Sequence, residues 1–179
     1  MRLLLISGST RAGSSNTLAL QRLHEADHPV VTTDRYTGLR EIPAFVPDEQ
    51  PVPPAVSDLL ARITAADAVV FSTPEYAGGL PGALKNLLDW TVGGGELYGK
   101  PVAWLDVANP GRGHGARAQL ETVLGYVGAR VVVAACVHVT IDRVDGVVVL
   151  GDRAEQELAT AVEALAAAVG EDDRGRDHG

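Results

Sequence analysis

Cysteine is almost missing from this chain. Cys136 is the single thiol among 179 residues, which excludes an internal disulfide and a thiolate metal site built within one chain. That usage fits a reducing compartment, and a cytoplasmic location is expected. Aromatic residues are also scarce, with two Trp, four Tyr and two Phe, too few for an extended base-stacking platform. Positive charge is in deficit. Fifteen basic residues face twenty-three acidic ones for a net charge of −8, a surface that repels a phosphate backbone and argues against nucleic-acid partners. No apolar run approaches the ~20 residues needed to span a bilayer. The opening MRLLLIS has one positive charge and a short apolar run, too short for a signal-peptide core, so no membrane partner is expected. No Gly-x-Ser-x-Gly elbow is present, and His24, His28, His138 and His178 lack metal-ligand spacing, which leaves serine hydrolysis and metal chemistry without support.

What remains is an ordinary globular composition, 46% apolar and 21% charged, of a length suited to one domain. Short aliphatic or β-branched runs lie at Leu3–Ser7, Val30–Thr33, Ala68–Ser72, Val102–Val107 and Val131–Val139. Stretches of helical period separate them: Asn16–Ala26, Ala55–Ala65, Gly82–Trp90, Ala116–Val127 and Arg153–Val169. Strands alternating with helices predict βαβ units, a parallel sheet covered on both faces, and right-handed crossovers. The expected fold class is α/β, a flavodoxin-like three-layer sandwich around a five-stranded parallel sheet of order 2-1-3-4-5. The domain is expected to occupy residues 1–170, with Glu171–Gly179, charged and Gly-punctuated, as a disordered tail. Pro47–Pro54 reads as an extended loop entering the second helix, and Asp145-Gly146 as a tight turn in a small β excursion.

In such sheets ligands bind beyond the carboxyl ends of the strands, where strand order reverses. The loop after the first strand is Gly8-Ser9-Thr10-Arg11-Ala12-Gly13-Ser14-Ser15-Asn16. A plain N-capped turn needs one hydroxyl; this loop has four, an amide and an arginine, and opens into a helix, the arrangement of an anion site. Its spacing is that of a Walker A loop, but Ser14-Ser15 stands where Lys and Ser/Thr are needed, and it is not Gly-x-Gly-x-x-Gly. Neutral donors suit one terminal phosphate, hence a mononucleotide. The loop after the third strand, Ser72 to Gly82, contains Pro74-Glu75-Tyr76-Ala77-Gly78-Gly79, whose glycines let backbone approach a flat ligand. A third loop, Asn109-Pro110-Gly111-Arg112-Gly113-His114-Gly115, shares the rim, and His114 there reads as a solvated loop histidine.

Gly8-Ser9-x-Arg11-x-x-Ser14-x-Asn16, followed by Pro74-Glu75-Tyr76-x-x-x-x-Pro81-Gly82-x-Leu84-Lys85-Asn86-x-x-Asp89-Trp90, closely resembles the NAD(P)H-dependent FMN reductase family, which includes flavin, quinone, azo-dye and chromate reductases. The resemblance implies FMN as cofactor and NAD(P)H as co-substrate. It places Ser9, Arg11, Ser14, Ser15, Asn16 and Thr17 at the FMN phosphate, and Pro74, Glu75, Tyr76 and Ala77 along the isoalloxazine, mainly through backbone. Asn109 and Gly111 would border the flavin from the third loop. One departure is Ala77, where many members carry Asn. Lys85, Asn86, Asp89 and Trp90 tend to be structural in the family, near a subunit junction, and a homodimer or homotetramer is implied.

No side chain is assigned catalysis, because FMN would carry the chemistry. The expected reaction is a ping-pong transfer of hydride from NAD(P)H through FMN to a flavin, quinone or similar small acceptor. Two alternatives share the fold: a non-catalytic flavodoxin-type electron carrier and a cofactor-free interaction protein. Arg112 and Arg117 are the candidates for a nicotinamide 2′-phosphate.

Overall fold

Five consecutive residues buried on both faces define the middle of the sheet. In the computed structural model, which describes residues 1–26, 28–109, 111–145 and 147–176, Ala68–Ser72 forms strand β3 with every residue buried. β1 (Arg2–Ser7) runs parallel beside it with Leu5 opposite Val70 and Ser7 opposite Ser72. β2 (Thr32–Tyr36) pairs the outer edge of β1, and β4 (Pro101–Asp106) pairs the other side of β3. β5 (Arg130–Val131) completes the order 2-1-3-4-5, and β6 (Val137–His138) also pairs β4. The helices are α1 (Ser15–Glu25), α2 (Pro54–Ala65), α3 (Gly82–Asp89), α4 (His114–Tyr126) and α5 (Asp152–Arg176).

Strand alternation divides the core into two layers. Leu3 and Leu5 of β1 face Leu20 and Leu23 of α1 and Leu158 and Leu165 of α5. Leu4 and Ile6 face the other way, among Leu59 and Ile63 of α2, Leu84 and Leu87 of α3, and Leu120 and Leu124 of α4. Burying one such side chain is worth about 1.5–3 kcal/mol, so the period-2 pattern of β1 alone commits the chain to helices on both faces. Among the described residues no helix is long and apolar enough to cross a membrane.

Three boundaries depart from the hydropathy pattern. β2 is Thr32–Tyr36 rather than Val30–Thr33, because Val30 is exposed and the strand is set by pairing with β1 instead of by its own apolarity. Edge strands tolerate such polar sequences, and Asp34 on β2 is held by Arg2 and Arg62. The Val131–Val139 strand is broken: a 3₁₀ turn at Val133–Ala135 interrupts the ladder, burying Ala135 against the α1/α5 side while Val133 projects into solvent. Pairing resumes at β6, where Leu105 meets Val137. Third, α5 continues to Arg176, through charged residues whose composition predicts fraying. The Arg130 guanidinium anchors this segment by donating to the Ala168 carbonyl and the Asp172 carboxylate. Residues 177–179 of the expected tail lie outside the described residues.

The β excursion is a hairpin of β7 (Asp142–Val144) and β8 (Val147–Val149), antiparallel with Val144 opposite Val147. Asp145 takes a positive φ of 51°, as tight hairpins require; Gly146 lies outside the described residues. Glu157 of α5 ties the approach to this hairpin, accepting from the Thr140 N–H at 2.7 Å and the Arg153 guanidinium at 3.0 Å. Burial pushes the Glu157 carboxyl up, but these bonds and one from the Thr140 hydroxyl outweigh it and hold the group below the usual carboxylate range. A depressed folded pKa contributes stability that is present above the unfolded value and lost as pH falls through the folded one. Glu157→Gln is therefore expected to cost about 1–2 kcal/mol at pH 7, with the difference from wild type shrinking as urea midpoints are followed down from pH 5. A constant difference across that range would refute the ionic role.

Candidate functional site

The parallel pairing of β1, β3 and β4 brings their carboxyl ends to one rim, and three loops leave it side by side. The first ends in the cap of α1. Ser14 is buried and extended, and its hydroxyl accepts from the Thr17 N–H at 3.2 Å. The Thr17 hydroxyl is turned inward, 2.9 Å from the Ser7 and Ser14 hydroxyls alike. The N–H groups of Ser15 and Asn16 lie in the first turn, before intrahelical bonding begins, at the positive end of the helix. Arg11, exposed on this loop, forms no ion pair among the described residues.

Behind that cap a buried hydroxyl ties the loops together. Ser72 Oγ, at the end of β3, lies 2.9 Å from Asn16 Oδ1 and 2.9 Å from the Leu105 carbonyl of β4. One hydroxyl proton serves two acceptors here, so the Leu105 bond is satisfied in full when the Asn16 amide presents its nitrogen to Ser72 and its oxygen elsewhere. Asn16 thereby orients α1 against β3, a structural duty beside any contact with a ligand.

The second loop closes on itself. Tyr76 and Gly79 exchange backbone hydrogen bonds of 3.0 Å in both directions, and the two residues between them, Ala77 and Gly78, take φ of 51° and 77°. This is a two-residue turn requiring two left-handed residues. Glycine meets that demand freely and Asn tolerates it, whereas Ala carries a steric cost of about 1–2 kcal/mol. The Asn that the resemblance implies at this position would thus have a backbone reason, independent of any side-chain contact.

Glu75 is committed in a way its sequence position conceals. Its Oε2 accepts from the N–H groups of Gly115 and Ala116 at 2.7 and 3.2 Å, capping α4 from the neighbouring loop. The residue at the α4 N-cap is Gly113, with φ of 81° and no side chain to do this. A Cβ at Gly115 would collide with the Gly78 carbonyl, so the second loop and the start of α4 pack backbone to backbone. Gln119 adds a second tie by accepting from the Leu80 N–H at 2.8 Å.

Between these loops lies a cleft of ≈ 300 Å³. Of the sequence candidates it is lined by Ser9, Arg11, Ser14, Ser15, Asn16, Pro74, Glu75, Tyr76 and Asn109. Thr17, Ala77 and Gly111 are not among its lining: Thr17 faces inward, Ala77 sits at the turn tip, and Gly111 is an exposed loop residue with φ of 80°. Pro110 lies outside the described residues. Arg112, a candidate for the nicotinamide 2′-phosphate, lines the cleft as well, and the lining residues missed as candidates are Thr73, Val107, Ala108, Gly113 and Ile141. Thr73 and Val107–Ala108 directly follow β3 and β4, which marks them in hindsight. Ile141 comes from the segment before β7 and carries no sequence signal. Arg112 has no ion pair among the described residues, whereas Arg117 is engaged, 2.7 Å from Asp106 and donating to His114 Nδ1 at 2.7 Å. That removes Arg117 as a free cation for a 2′-phosphate.

The donor set suits a phosphorylated flat ligand. One end offers first-turn N–H groups, the Ser9 and Ser15 hydroxyls and an uncommitted guanidinium; the other offers main chain around Pro74–Tyr76 and the half-exposed Tyr76 ring. The one carboxylate in the lining, Glu75, is spent on the α4 cap. These residues fit FMN.

Two substitutions probe this rim. Ala77→Asn is expected to raise the urea-unfolding stability by about 1 kcal/mol by relieving the left-handed strain, and an unchanged or lowered midpoint would refute the strain. Glu75→Ala is expected to lower stability by about 1 kcal/mol and to speed amide exchange at Gly115 and Ala116. Unaltered exchange at those two amides would show that the cap is not formed in solution.

Residues 1–144 match the family model described as NADPH-dependent FMN reductase. A NAD(P)H-dependent FMN reductase of Pseudomonas aeruginosa is 40% identical over 123 residues, which span 66% of this chain and 65% of that protein, slightly under two thirds of its length. A quinone reductase of Escherichia coli is 32% identical over 138 residues, 73% of each chain. Among solved structures, FerB, a flavoenzyme NAD(P)H:(acceptor) oxidoreductase from Paracoccus denitrificans, superposes with a TM-score of 0.72 over 95% of this chain and 97% of its own at 24% identity, a likeness of fold. The matched stretch, residues 1–144, contains the Ser/Arg loop, the Glu75 turn and the strands of the 2-1-3-4-5 sheet: the chain belongs to the NADPH-dependent FMN reductase family, whose cofactor is FMN and whose co-substrate is NAD(P)H.

Proposed function

We propose that this protein is an FMN-dependent NAD(P)H oxidoreductase reducing flavins, quinones or similar small acceptors. One observation carries the reading: a single cleft joins a hydroxyl- and N–H-lined anion cup at α1 to the main-chain turn of Tyr76–Gly79. In it, the Ser15 and Asn16 N–H groups, the Ser9 hydroxyl and Arg11 hold the phosphate. Pro74, Glu75 and Tyr76 present main chain along one edge of the ring, and Asn109 and Arg112 border it from the third loop. FMN, when bound, supplies the hydride-accepting and hydride-donating chemistry. The chain's task is positional: Ser72, Glu75 and Gln119 fix three loops against one another so that the ligand edge is pre-organised.

The donor and the acceptor are proposed to use the same open face in turn, which requires ping-pong kinetics. Initial rates at several quinone concentrations should give parallel double-reciprocal lines in NAD(P)H; intersecting lines would overturn the shared face. Titration of flavin-free protein with FMN should quench flavin fluorescence, and Arg11→Ala should weaken that binding by about tenfold. Wild-type protein that neither quenches FMN nor oxidises NAD(P)H in its presence would sink the whole reading. FMN binding without NAD(P)H oxidation would favour the electron carrier instead. A homodimer or homotetramer is part of the proposal, supported by the exposed Tyr98 and Tyr126 rings, 81% and 90% accessible, and a monomeric mass in sedimentation would remove it.

A further inference from the structure

On the other side of the first loop lies a second concavity of ≈ 230 Å³, between α1 and the carboxyl end of β2. Three arginines line it, Arg11, Arg35 and Arg40, and its lining contains no Asp or Glu. None of the three forms an ion pair among the described residues. In a chain with twenty-three acidic residues and fifteen basic ones, three unneutralised arginines at one concavity run against the composition. Their mutual repulsion is relieved by an anion between them.

The fold explains why the nearby acid does not serve. β2 alternates its faces, and Thr33 is fixed on the α1 side by a 2.7 Å contact with His24 Nδ1. Arg35 follows two residues later on that side, half-buried. Asp34, between them, points to the opposite side and is held by Arg2 and Arg62. Tyr36 likewise buries its ring in the layer of α2 and α3. Arg40 arrives from the short 3₁₀ turn Leu39–Glu41. Ser9 and Arg11 line both this concavity and the cleft described above, so the two adjoin across one loop.

We propose that this concavity is a second phosphate subsite, for a nucleotide bearing a phosphate ester beyond the one held at α1. Arg35 and Arg40 are its specificity-determining residues, because they belong to it and not to the α1 cleft. The inference goes beyond the flavin reading and is testable with no flavin present. Two sources carry the required chemistry: the 2′-phosphoadenosine half of NADPH and the AMP half of a flavin dinucleotide.

Calorimetric titration of flavin-free and FMN-saturated protein with adenosine 2′,5′-bisphosphate tests the site directly. Binding is expected in wild type, weakening as salt rises, with Arg35→Ala and Arg40→Ala each reducing affinity by about tenfold. FMN affinity in both variants should stay within about twofold of wild type, since neither residue lines the flavin cleft. A rise in KM for NADPH at unchanged KM for NADH identifies the coenzyme as the source. Tighter binding of flavin adenine dinucleotide than of FMN, abolished in the double variant, identifies the flavin dinucleotide. No binding of the bisphosphate to wild type, or binding unaffected by removing both arginines, would overturn the subsite. Bisphosphate binding by protein that takes up no FMN would sink the flavin reading and leave this one standing.

Discussion

The hydroxyl of Ser72 is the point on which the rim is built. It stands at the end of the central strand, fully buried, and joins α1 through Asn16 to β4 through the Leu105 carbonyl. Each of those elements begins or ends a loop that lines the cleft. A buried polar group in a low-dielectric interior is costly unless bonded and strongly orienting when it is. One small side chain therefore sets the angle of the first helix against the sheet, and with it the aim of the first-turn N–H groups.

Glu75 performs the complementary task on the outer side of the rim. Its carboxylate satisfies two amides at the start of α4, while the turn that follows it packs against Gly115 with no room for a side chain. The second and third loops are thus one unit. A residue read as a flavin contact is a helix cap, and the proposed flavin contact, through main chain, leaves its carboxylate to that duty.

Charge is distributed against the grain of the composition. The chain carries −8 overall, yet Arg11, Arg35, Arg40 and Arg112 gather around the two concavities next to the first loop. Most other basic side chains with an assigned partner meet a carboxylate, as Arg62 does with Asp58 and Lys85 with Asp89. A basic rim on an acidic chain focuses small anions where the loops converge.

Local pattern determined the layered architecture. The alternation of Leu3, Leu4, Leu5 and Ile6, the unbroken burial of Ala68–Ser72 and the 3.6 periods of the helices each act over a few residues, so they are legible one segment at a time. The same holds for the first loop, whose hydroxyls, glycines and arginine adjoin in sequence. Pairing and long-range capping were decided only by the tertiary structure. The polar edge strand β2 takes its register from β1, the fifth strand yields to a turn that buries Ala135, and α5 outlasts its apolar period because Arg130 holds Asp172. Glu75 finds its amides 40 residues downstream, and Arg35 joins Arg11 across the edge of the sheet. Such contacts depend on which surfaces the packed layers bring together, and no local periodicity encodes that.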